Sequence, residues 1–361
     1  MIFRVILSAL VTVFYALTAR AQDDAPKVDA VGSVLSPAAR IPFSAYASPE
    51  ALTRFGQVFE EGTAAPPLGQ SIQASRDFYD KINSNRAERM KKLYPVQIAT
   101  QKFDGVAADV VTPKGGIDPR KAKRVLINLH GGAFLWGAGS GGLVEAIPIA
   151  SVGKIKVITV DYRQGPEYTF PAASEDVEKV YRELLKTYKS QNIGIYGCSA
   201  GGVLTAEAAA WLQTKSLPAP GAVGIFCAGV VDLNGDSAYA AHLLMGEPVP
   251  ERAFLLTSLP YFKGADPASP LIFPGNSPDV LAKFPPTLLI SASRDFAMSA
   301  TLRSNELLTE AGVPTELHVW EGVWHSFFSD PELPESKAMY AVVTRFFDRK
   351  LGRASASNKR Q

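Results

Sequence analysis

The segment Ile193-Gly194-Ile195-Tyr196-Gly197-Cys198-Ser199-Ala200-Gly201-Gly202 decides how this chain is read. Its first half is an apolar run of β character, its second half opens the Ala-rich helical stretch Ala200–Gln213, and Gly-x-Ser-x-Gly sits at the junction. A serine hydroxyl is a weak nucleophile and must be presented on a sharp strand-to-helix turn to meet substrate and base together. That turn crowds its own backbone, so glycine is needed two residues to either side of the serine. The helix N-terminus beginning there also favours developing negative charge. Ser199 is the expected nucleophile.

Working outward, Leu129-His130-Gly131-Gly132-Ala133-Phe134 directly follows another apolar run. Consecutive glycines let backbone N–H groups face into a site and hold an oxyanion, each donor contributing about 10²–10³ in rate. The N–H groups of Gly131, Gly132 and Ala200 are the expected oxyanion hole. The base comes from four histidines. His130 belongs to the glycine loop, His242 to a proline-rich segment and His318 to a strand pattern, whereas His325 follows a strand, where a loop can bring it over the serine. A neutral imidazole needs a carboxylate to fix its tautomer. Asp295 ends a strand region 30 residues before His325, in the chain order Ser…Asp…His. Asp330 competes but follows the histidine and precedes a proline.

Apolar runs at Val125–Leu129, Lys156–Val160, Ile193–Tyr196, Ala222–Cys227, Thr287–Ser291 and Thr315–Trp320 are apolar on both faces, the pattern of strands covered on both sides. Helical spacing lies between several of them, at Ala172–Tyr188, Ala200–Gln213 and Ser299–Gly312, and again at Glu335–Leu351. Strand-helix alternation predicts an α/β fold with a mostly parallel sheet. Val96–Thr100 and Val106–Thr112, joined through Asp104-Gly105, predict an antiparallel pair. Pro49–Glu61 and Ser71–Tyr94 predict two earlier helices after a loosely ordered lead-in. Residues 235–282 are rich in proline and aromatics and read as an inserted lid. Gly137–Gly142 reads as mobile from its composition.

The chain has 361 residues, 47% hydrophobic and 20% charged, with 37 basic and 35 acidic side chains. A net charge of +2 provides no basic field for nucleic acid. Two cysteines make no disulfide framework. Cys198 reads as a small buried side chain under the turn, and a bond to Cys227 stays open. Residues 1–21 combine Arg4, the apolar run Val5–Leu17 and the small-residue exit Ala19-x-Ala21, a secretory signal cleaved after Ala21. The run is shorter than the roughly 20 residues that span a bilayer, so no stable membrane span is expected after cleavage. Removal of the leader leaves a formally neutral chain, suited to a small-molecule substrate. The terminal Arg349, Lys350, Arg353, Lys359 and Arg360 read as a helix end with a solvated tail from residue 352.

Residues of about 95–350 resemble the hormone-sensitive-lipase-like branch of the α/β-hydrolases. The resemblance is carried in order by His130-Gly131-Gly132, Asp161-Tyr162-Arg163-x-x-Pro166-Glu167-x-x-Phe170-Pro171-Ala172-Ala173-x-Glu175-Asp176, Gly197-x-Ser199-Ala200-Gly201-Gly202, Asp295 and His325. It implies an α/β-hydrolase fold: an eight-stranded, mostly parallel sheet over residues 96–351, flanked by helices. It also implies a helical cap made from the helices within residues 22–95 and an insertion at about 235–282, after the strand ending near Cys227. The implied activity is that of a serine esterase on short- to medium-chain acyl esters, with no cofactor or metal. The sequence departs from the branch at Ala133, where a third glycine is usual, and at Cys198, where Asp or Thr is more frequent. An amidase, lactonase or sugar-ester deacetylase would use the same triad, and a non-catalytic ligand-binding protein on this fold is the reading from another class. Phe134, Trp136, Trp324 and Phe327 flank the loops, as pocket lining or as core.

Overall fold

The computed structural model describes residues 27–28, 34–35, 40–67 and 71–352. Residues up to Phe43 group by themselves, and there Lys27–Val28 pairs antiparallel with Val34–Leu35, a short pairing inside the lead-in expected to be irregular. The leader 1–21 and the tail from residue 353 lie outside the described residues.

From Ser44 onward the chain forms a second compact unit built on one eight-stranded sheet. Its strands are β1 (Val96–Phe103), β2 (Val106–Pro113), β3 (Val125–Leu129), β4 (Lys156–Val160), β5 (Ile193–Cys198), β6 (Ala222–Phe226), β7 (Thr287–Arg294) and β8 (Thr315–Trp324). The order across the sheet is β8-β7-β6-β5-β3-β4-β2-β1. Every pairing from β8 to β4 is parallel, while β2 runs antiparallel to both β4 and β1. Asp104 and Gly105 both take positive φ, 47° and 84°, which matches the twist of the two strands they join. All residues of β3, β5 and β6 are buried, as their continuous apolar runs require.

The helices of two turns or more are α1 (Pro49–Ala64), α2 (Ile72–Leu93), α3 (Ser140–Gly153), α4 (Ala172–Leu185), α5 (Ala200–Thr214), α6 (Ser237–Met245), α7 (Met298–Glu310) and α8 (Pro334–Lys350). The hydroxyls of Ser48 and Ser71 accept the Ala51 and Ala74 N–H groups and so start α1 and α2. Helix α5 is apolar and buried almost all round, because it lies behind Ser199 against β5 and β6.

Helix α3 corrects the expectation of mobility at Gly137–Gly142. Gly139, at φ 69°, precedes the helix, and the packing explains a glycine inside it: a Cβ on Gly142 would sit 2.3 Å from Thr159 Oγ1 of β4. Glycine there is a close-approach residue that lets a buried helix lie on the sheet, not a sign of looseness. Val144, Ala146, Ile147, Ile149 and Ala150 supply the buried surface.

Helices α1 and α2 are tied to the segment after β8. Ser48 donates from both its N–H (2.7 Å) and its hydroxyl (2.9 Å) to the Glu335 carboxylate. Three arginines surround Asp330, which is 1% exposed: Arg54 at 3.0 Å, Arg89 at 3.4 Å and Arg86 at 3.9 Å, with Glu61 and Glu332 balancing the charge. Among the described residues no helix is long and apolar enough to cross a membrane. Removing a buried acid strands the charges that surround it. Asp330→Ala is therefore expected to lose about 2–4 kcal/mol, read as a lower urea midpoint at unchanged slope; an unmoved midpoint would contradict the tie.

Candidate active site

Ser199 links β5 to α5 with φ 56° and ψ −123°, a conformation that L side chains rarely adopt. The neighbouring glycines explain why it persists. A Cβ on Gly197 would lie 2.2 Å, and one on Gly201 1.7 Å, from the Leu129 carbonyl oxygen. The elbow is thus pressed against the end of β3, and its N–H is held by Phe226 O at 2.9 Å.

His325 follows β8, and its Nδ1 lies 2.7 Å from Asp295 Oδ1. Asp295 is fully buried just beyond β7 and accepts the Ala297 N–H (2.9 Å) and the Ser291 hydroxyl (2.8 Å). Burial works to raise its pKa, but the charge and hydrogen bond of His325 and the two further donors outweigh it, so the carboxyl stays below its ordinary value. The imidazole also stacks on Phe296, with ring centres 4.3 Å apart. The Ser199 and His325 side chains line one cavity of about 500 Å³, and no hydrogen bond joins them. Such bonds are commonly long without substrate and tighten in the reacting complex.

Asp330 is not the partner of the histidine, since the arginines of α1 and α2 claim it. Of the other histidines, His130 is buried and stacked on Tyr162, His318 lies on β8 beside Trp320, and His242 lines the cavity with Nδ1 2.8 Å from Glu247.

The oxyanion expectation needs one correction. The Gly131 N–H donates to Glu145 Oε1 at 2.8 Å, so it is spent inside the protein. Among the described residues, the N–H groups of Gly132, Ala133 and Ala200 carry no hydrogen bond, and all three residues line the cavity. Gly132 has φ 121°, and a Cβ on it would meet Trp136 O at 2.0 Å. Ala133 follows at φ 52°, so the alanine occupies a left-handed conformation at a cost of about 1–2 kcal/mol. The distinctive Asp161–Asp176 stretch is structural: Asp161 accepts the Gly139 N–H, and Arg163 binds both Asp176 and Glu175.

The cavity is roofed by Tyr79 and Arg86 of α2 and by His242, Phe254, Leu256 and Leu259 from the segment after β6. Trp136 lines it and stacks on Tyr79 at 4.5 Å, while Phe134 and Phe327 are core. An adjoining cavity of about 460 Å³, bounded by Val58, Phe78, Met245 and Trp324, shares Arg86, His242 and His325 with the first. Cys198 and Cys227 are buried and unbonded, and burial raises both thiols. Cys227, Asp295 and His325 bring possible metal-ligating atoms within 4.8 Å of one another, but Asp295 and His325 spend theirs on each other. Sequence reading missed Glu145, Ser291 and Phe296, which carry no motif and reach the site only through the fold.

Known proteins resemble this chain in both sequence and fold. Residues 126–329 match a family model described as the alpha/beta hydrolase fold. The chain is 28% identical to an acetyl-hydrolase of Streptomyces hygroscopicus, across 63% of this chain and 76% of the relative. It is 30% identical to the esterase LipU of Mycobacterium tuberculosis, across 63% and 78%. Among solved structures, esterase E25 superposes with a TM-score of 0.77 at 29% identity, covering 88% of this chain and 99% of that one. An esterase of the bacterial hormone-sensitive lipase family gives 0.74 at 27% identity, covering 84% and 99%. Sheet order, serine elbow and chain similarity agree, and this chain belongs to the α/β-hydrolase family, in its hormone-sensitive-lipase-like branch.

Proposed function

We propose that the protein is an exported serine carboxylic-ester hydrolase acting on short- to medium-chain acyl esters of small molecules. The observation that carries this reading is the Asp295–His325 pair opening onto the same cavity as the strained Ser199 elbow. His325 takes the Ser199 proton, the hydroxyl oxygen attacks the ester carbonyl, and Asp295 stabilises the imidazolium. The N–H groups of Gly132, Ala133 and Ala200 donate hydrogen bonds to the carbonyl oxygen as negative charge develops on it. His325 then protonates the departing alcohol, and water, activated by the same imidazole, frees the acid from Ser199. The cavity volume lies in the range of small-molecule sites, and its Val144, Val203, Leu233, Leu256 and Leu259 favour an apolar acyl chain. The relatives named acetyl-hydrolase and esterase support the reaction class.

With p-nitrophenyl acetate as substrate, Ser199→Ala is expected to lose at least about 10⁴-fold in kcat and Asp295→Asn about 10³–10⁴-fold. A Ser199→Ala protein that keeps wild-type turnover would refute the mechanism. Export is checked separately. The secreted or periplasmic protein is expected to begin at Gln22, as read by N-terminal sequencing, and recovery of an intact Met1 chain in the cytoplasm would contradict it.

A further inference from the structure

Glu145 is an acid that the triad chemistry leaves unused. It projects from α3 beside the glycine turn, is 8% exposed and lines the cavity that holds Ser199. Oε1 accepts the Gly131 N–H at 2.8 Å and Oε2 accepts Asn128 Nδ2 at 3.0 Å, while Asn128 Oδ1 in turn accepts the Thr159 hydroxyl at 2.8 Å. A Cβ built on Gly131 would lie 3.6 Å from Glu145 Oε1 and 3.4 Å from Ser199 Cβ, so the carboxyl group sits next to both the turn and the elbow. Every group that points at it is a donor, which is the pattern a carboxylate satisfies and a protonated acid does not.

We propose that Glu145 is a positioning residue for ester hydrolysis: its carboxylate anchors the glycine turn through the Gly131 N–H, which keeps the Gly132 and Ala133 N–H groups aimed at the substrate carbonyl. This rests on the esterase reading above. Burial pushes the Glu145 carboxyl up to about 7, against the pull of the Gly131 N–H, the Asn128 amide and the Cys198 N–H. The anchor is therefore complete above that pH and is lost as pH falls through it. The other titratable groups around it do not change charge there. Burial holds the phenols of Tyr162 and Tyr196 and the thiol of Cys198 neutral, and it lowers the pKa of His130. Arg86, on the cavity roof, is paired with Glu61. His325 and His242 also line the cavity.

Two variants test the role. Glu145→Leu removes both acceptors and is expected to lower kcat about 10- to 100-fold, the cost of misplacing groups by about 1 Å, with KM changed less than about threefold. Glu145→Gln keeps an acceptor for Gly131 once the Asn128 amide turns over, and is expected to restore most of kcat at pH 8. In the wild type, log kcat/KM against pH is expected to fall in acid more steeply than one proton explains. In Glu145→Gln the fall is expected to be shallower, because the proton taken up by Glu145 no longer contributes. Equal slopes in the two proteins, or a leucine variant with wild-type kcat, overturn the proposal. If the wild type hydrolyses no ester, the functional reading fails instead. Amide hydrogen exchange over residues 129–135 then decides the anchor: faster exchange in Glu145→Leu supports it, and unchanged protection overturns it.

Discussion

The close approach of the Ser199 elbow to the end of β3 is the constraint on which the site depends. With the Leu129 carbonyl where the Cβ atoms of Gly197 and Gly201 would be, only glycine can flank the serine. The serine itself takes the strained conformation that its neighbours dictate. Because β3, β5 and β6 are buried throughout, the backbone has little freedom to relax that strain. The same close packing brings the glycine turn after β3 to the side of the serine. Ser199 and the glycine turn are thus brought together by one strand contact.

The second half of the site is assembled from farther away. Asp295 and His325 come from the ends of the adjacent strands β7 and β8, which explains how a gap of 30 residues closes to a hydrogen bond of 2.7 Å. Desolvation of Asp295 would work against its charge were it not for three donors, and the carboxylate is kept for the imidazole. Stacking of His325 on Phe296 adds an apolar wall that orients the ring. The roof, by contrast, comes from segments remote in sequence, α2 and the chain after β6.

Features written in local pattern were legible before any coordinates. The double-faced apolar runs became β3 to β8, and Gly-x-Ser-x-Gly announced its own turn. Ser199, Asp295 and His325 could be ranked because few histidines compete and their chain order is constrained. What escaped depended on tertiary contact. Glycines at 137–142 suggest mobility when read singly, yet Gly142 is what allows α3 to reach β4. Gly131 looked like an oxyanion donor because nothing in the local sequence reveals Glu145, fourteen residues on and a helix away. The Asp330 cluster likewise joins residues 241 to 276 positions apart in the chain, beyond any periodicity.

That cluster has an evolutionary corollary. The strap that follows His325 is gripped by α1 and α2, so a lineage remodelling those helices disturbs the Asp295–His325 pair as well as the roof. The proline-rich segment after β6 rests on apolar packing through Leu256, Tyr261, Phe262 and Phe273. Side chains there can be exchanged for others of similar volume without loosening the contacts that hold Ser199, Asp295 and His325.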